Sequence, residues 1–116
     1  FTLTNANYDI EVGDLNLDGK PDILAEANGG FAFRNTHTSG SISSASLLPD
    51  DTLSVSSFIN PRLEDFDGDG LLDVASVNGL AHRNASTASE ISFEPSVGIG
   101  LGASNMDLAD FNNDGK

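Results

Sequence analysis

One acidic loop is written three times along this chain, and it restricts the fold more than any other feature. The first copy reads Asp14-Leu15-Asn16-Leu17-Asp18-Gly19-Lys20-Pro21-Asp22, the second Asp65-Phe66-Asp67-Gly68-Asp69-Gly70-Leu71-Leu72-Asp73. A third, Asp110-Phe111-Asn112-Asn113-Asp114-Gly115-Lys116, runs to the last residue. Oxygen-bearing side chains recur at loop positions 1, 3, 5 and 9, with glycine at position 6. Such a loop gathers carboxylate and carbonyl oxygens about one point, the coordination that a hard cation such as Ca²⁺ requires. Glycine permits the sharp turn, and the position-7 carbonyls of Lys20 and Leu71 are expected to add another oxygen. The expected ligands are Asp14, Asn16, Asp18, Lys20 and Asp22 in one loop and Asp65, Asp67, Asp69, Leu71 and Asp73 in the next. Asp110, Asn112 and Asp114 form the incomplete third set, which lacks a ninth-position acid. The second loop carries four aspartates against three and an asparagine in the first, so charge count predicts the tighter site there. Magnesium prefers a stricter octahedron and retains its water, while zinc and copper favour nitrogen or sulfur donors that the loops lack.

The copies start 51 and 45 residues apart, at Asp14, Asp65 and Asp110, and periods of that length signal a repeat architecture. Each loop follows a short alternating or apolar segment: Ile10-Glu11-Val12, Arg62-Leu63-Glu64 or Met106-Asp107-Leu108-Ala109. Each complete loop leads into a strand-like run, Asp22 to Ala27 or Asp73 to Val77, and then an Asn-Gly pair (Asn28-Gly29, Asn78-Gly79) that closes β-hairpins. Another short strand follows, Phe31 to Asn35 or Leu80 to Asn84, and a fourth is expected near Leu53 to Phe58 or Ile91 to Phe93. Four short strands per repeat without an amphipathic helix is the pattern of a β-propeller blade. A helical calcium loop would place an acid at position 12, where this chain has Ala25 and Ser76.

Taken together, the lead-in, the Asp-x-Asn/Asp-x-Asp-Gly-x-x-Asp loop, the Asn-Gly turn and the closing Arg-Asn pair resemble the FG-GAP/VCBS repeats of integrin-like β-propellers. The resemblance implies an all-β fold of about two four-stranded blades, with repeats over about 8–58 and 59–103 and the start of a third over 104–116. It also implies a calcium loop between the first two strands of each blade. Closed members of that family have more blades, so the chain is expected to be part of a larger propeller or to assemble from several copies. The implied role is an extracellular, secreted or cell-surface calcium-binding scaffold for adhesion, protein–protein interaction or assembly, with a protein or further blades as partner. The alternative is a non-catalytic, carbohydrate-recognising module of a larger secreted enzyme. Against that alternative, the chain has no tryptophan and one tyrosine, Tyr8, on which to stack a sugar.

Charge narrows the partners further. The net charge is −13, yet nine of the eighteen acids lie inside the three loops, so the remainder reads as a globular rather than a disordered chain. Five scattered Lys/Arg residues offer no footprint for nucleic acid or anionic lipid. No apolar run approaches the roughly 20 residues of a membrane-spanning helix, and without cysteine there is neither a disulfide nor a thiolate metal site. An enzyme is not expected. No serine sits in a Gly-x-Ser-x-Gly elbow, His82 replaces Phe33 of the other repeat as a packing residue, and His37 lies in a polar loop. Asn84-Ala85-Ser86 is a formal glycosylation acceptor.

Overall fold

Each complete acidic loop joins the first two strands of a four-stranded antiparallel sheet. The computed structural model describes residues 9–26, 29–53, 59–100, 102 and 104–112, with the backbone alone for 51–53. The first sheet runs β1 (Ile10–Gly13), β2 (Asp22–Glu26), β3 (Gly30–Asn35) and β4 (Leu47–Leu53), in that spatial order. The second repeats it with β5 (Arg62–Glu64), β6 (Asp73–Ser76), β7 (Leu80–His82) and β8 (Val97–Gly98). Among the described residues there is no helix, so the chain is all-β.

The core lies between the two sheets, whose central strands β2 and β6 are buried over most or all of their length. Cα pairing sets Leu24 opposite Glu11 and Ala32, and Leu63 opposite Val74. Leu15, Leu24 and Ala32 of the first repeat then form one buried cluster with Val74 and Ile91 of the second, and Leu63, Leu72 and Phe93 pack against it. The two sheets also approach closely at Gly13, where an added Cβ would lie 2.7 Å from Leu72 Cδ1. Polar ties reinforce the contact. Arg62 Nη1 pairs with Glu11 at 2.9 Å, and the Asn60 amide donates to Glu26 at 3.2 Å.

Turn chemistry follows the sequence closely. Gly79 adopts φ 80° after Asn78 and its amide donates to Ser76 O at 2.9 Å, closing the β6–β7 hairpin. Asn28 lies outside the described residues. Within both loops, positions 4 and 6 are left-handed: Leu17 at 58° and Gly19 at 84°, Gly68 at 81° and Gly70 at 93°. Nothing lies within 4 Å of a Cβ built on Gly19 or Gly70, so a substitution there is opposed by backbone conformation alone. Gly70→Ala is expected to cost about 1–2 kcal/mol in urea denaturation, and a neutral result would mean that the loop re-forms with another turn.

The fourth strands differ from the expected positions. In the first sheet the strand begins earlier, at Leu47, and 54–58 lie outside the described residues. A register irregularity at Ala32/Phe33 accommodates Pro49 in this edge strand. In the second sheet, Ile91–Phe93 does not supply the strand. Phe93 makes a single bridge to Asn84, Thr87 and Glu90 close a hairpin tip, and the ladder resumes at β8. Ile91 is taken instead by the inter-sheet core, which outweighs another rung on an edge.

Candidate metal centre

A single hydrogen-bond scheme builds both loops. The position-2 amide donates to the ninth-position carboxylate, Leu15 to Asp22 Oδ2 and Phe66 to Asp73 Oδ2, at 3.0 Å in each. The other oxygen of that carboxylate accepts the amide at the end of the third strand, Asn35 at 2.8 Å or Asn84 at 2.7 Å. The position-6 glycine donates to the first aspartate, Gly19 to Asp14 at 2.8 Å and Gly70 to Asp65 at 2.9 Å. Positions 5 and 7 are fixed in the same way. Asp18 and Asp69 amides donate to Asn16 and Asp67, and Lys20 and Leu71 amides donate to Asp18 and Asp69. These bonds turn the side-chain oxygens of positions 1, 3, 5 and 9 toward their own loop.

The consequence is clearest in the second loop. Carboxylate oxygens of Asp65, Asp67 and Asp73 all lie within 4.8 Å of one another. Like charges this close repel unless a cation or a proton intervenes. An all-oxygen donor set on a flexible loop fits a hard divalent ion. Asp22 and Asp73 are buried, and burial raises both carboxyls above the ordinary range. The amide bonds from Asn35 and Leu15, or Asn84 and Phe66, pull the other way, and neighbouring loop aspartates push up again. Asp18 ends below its ordinary value, because hydrogen bonds and charge from Lys20 outweigh its desolvation.

Two of the expected ligands also meet a cationic side chain: Asp69 Oδ2 lies 2.5 Å from Arg83 Nη2, and Asp67 Oδ2 lies 2.6 Å from Arg83 Nε. In the first loop the Lys20 ammonium pairs with Asp18 at 3.2 Å, so its side chain is a counter-ion beside the site. Asp110 and Asn112 of the third set are exposed, and Asp114 lies outside the described residues.

The repeated Arg-Asn pair supplies four residues whose contacts sequence reasoning did not foresee. Asn84 is fully buried and its amide nitrogen donates to both Leu15 O and Leu72 O at 2.8 Å, which tethers the second sheet to the first loop and leaves no room for a glycan. Asn35 makes the corresponding bond to Pro21 O at 3.0 Å. The arginines diverge. Arg34 is drawn to Asp50 at 2.5 Å, whereas strand pairing puts Ser96 where Asp50 would be, and Arg83 goes to the acidic loop instead. Asp50 also accepts the Ile91 amide at 3.0 Å, and Asn16 Nδ2 donates to Ala88 O at 3.1 Å. The hairpin of residues 84–93 therefore covers the first loop. The second loop opens on a cleft of about 180 Å³ lined by Phe66, Asp73, His82, Arg83 and Val97. His82 is buried there on β7, its Nδ1 3.0 Å from Glu94 O.

Comparison with known protein families, with curated proteins and with solved structures finds no match for this chain.

Proposed function

We propose that this chain is a calcium-binding scaffold, with each four-stranded sheet acting as a propeller blade of the FG-GAP/VCBS type. Its role in this reading is extracellular adhesion, protein interaction or assembly. The observation that carries the reading is the convergence of Asp65, Asp67 and Asp73 within 4.8 Å, in a loop whose hydrogen-bond scheme recurs 51 residues earlier. Duplication of the scheme supports a shared purpose for the two loops, and the oxygen-only donors support calcium over softer metals. In that role the ion neutralises the acids and fixes the connection between the first two strands of each blade. The exposed loop edges and the negative surface then serve as contact area rather than as chemistry.

Titration calorimetry with calcium tests this reading. Two sites are expected, one lost in Asp14→Ala and the other in Asp65→Ala, and heats unchanged in both variants would exclude the loops as sites.

Arg83 enters as an internal competitor. Two of its three ion pairs neutralise Asp67 and Asp69, which offsets the charge advantage of the second loop. Exposed pairs of this kind are weak and screened by solvent, so Arg83→Ala is expected to tighten the second site only a few-fold. Weaker binding in that variant would instead assign Arg83 to holding the loop in shape.

A further inference from the structure

The two repeats are alike in sequence but unlike in exposure, and the differences fall on opposite outer faces. Alignment by loop position pairs Ile10 with Pro61, Val12 with Leu63, Leu15 with Phe66 and Asn16 with Asp67. In the second repeat, Pro61 is buried and Leu63 packs against the inter-sheet core. Their first-repeat counterparts Ile10 and Val12 are 54% and 60% exposed. The loop residues show the reverse. Leu15 and Asn16 are 0% and 2% exposed beneath the 84–93 hairpin, whereas Phe66 is 39% exposed and Asp67 is open to solvent. Among the described residues, the first sheet thus lacks a neighbour on its β1 face, and the second sheet lacks one over its loop.

We propose that a second copy of this chain fills both vacancies by docking head to tail. The first sheet of the incoming copy would sit on the second sheet of the other, repeating the contact already made within one chain. Ile10 and Val12 would take the places of Pro61 and Leu63. The hairpin closed by Thr36 and Ser46, whose backbone bond at 2.9 Å matches that of Ala85 with Ser92, would cover Phe66 and Asp67. Asn35 stands where Asn84 stands, with Pro21 O as its acceptor among the described residues. Its amide is therefore positioned to reach the Phe66 carbonyl as Asn84 reaches that of Leu15. Continuity with the inter-sheet interface is the argument for this occupant: both halves of a contact already present once are displayed again, one at each end. A heterologous contact of this kind propagates into a ring or an open array, according to the rotation between copies.

Sedimentation velocity of the full chain across the micromolar range tests this, in salt sufficient to screen the net charge of −13 and with or without calcium. Wild type is expected to form species of two and more copies as concentration rises. Phe66→Asp and Val12→Asp should each remain monomeric, while their equimolar mixture gives a one-to-one dimer that grows no further, since one intact face of each is used. Should either variant lose its β-sheet circular dichroism, Phe66→Ser or Val12→Ser replaces it. A wild type that is monomeric at every concentration, or a Phe66→Asp variant that associates like wild type, overturns the proposal. So does a mixture that stays monomeric while wild type associates. The contact stands on packing and not on calcium, so its failure leaves the metal reading untouched.

Discussion

Calcium at about a hundred times its dissociation constant is expected to raise the melting temperature by about 10 °C for each loop it occupies. Binding to the native state alone contributes about 2.7 kcal/mol per site at that excess, and a domain of this size shifts by about 4 °C per kcal/mol. The effect should be large because the opposing term is large. Half of the eighteen acids are confined to three loops, in a chain whose net charge is −13. Asp65, Asp67 and Asp73 already crowd within 4.8 Å. Magnesium should give a smaller shift, since it surrenders water reluctantly to a loop of uneven geometry. Differential scanning calorimetry with calcium, magnesium and excess chelator makes the comparison. A melting temperature indifferent to all three would leave the loops as hydrogen-bonded turns and remove the ion from the account.

Replacing Asn84 with alanine should be the most damaging single polar substitution, at about 3 kcal/mol. The side chain is fully buried and bonds Leu15 O, Leu72 O and the Ser86 amide, so its removal leaves three backbone groups without that partner, Leu15 O among them in a buried setting. Asn35→Ala is the matched control. It removes the same bonds within its own repeat, to Pro21 O and the His37 amide, at a half-exposed position. Its cost should be near 1 kcal/mol. The difference between the two, read from urea midpoints, isolates the tether to the first loop. Equal losses would show that the tether adds nothing.

Local features of this fold were legible because local chemistry dictates them. The glycines at 19 and 70, the Asn78-Gly79 turn, the alternation in β1 and the strand-like runs of β2 and β3 each specify their own few residues. Both complete loops accordingly fall between paired strands, as their spacing implies. What escaped was set by distant partners. Ile91 carries the signature of an edge strand, yet a core assembled from residues 15 to 91 claims it. Arg34 and Arg83 occupy one repeat position and part company because Asp50 is replaced by Ser96, a difference visible only once the strand register is known. The role of Asn84 depends on a carbonyl 69 residues away. Asp67 and Asp69 illustrate the same limit in the candidate site, where both also pair with an arginine that loop spacing does not connect to them.

The hairpin over the first loop has a bearing on time rather than on affinity. Asn16 is tied to Ala88, and Asn84 to Leu15 beside it. On the calcium-binding reading proposed above, a cation lodged in that loop would leave no faster than the 84–93 hairpin lifts. An ion in the second loop, bordered by solvent and one arginine, would exchange as quickly as its own coordination allows. Two near-identical loops would then answer the same fall in calcium on different clocks, the open one at once and the covered one only after a local unfolding step.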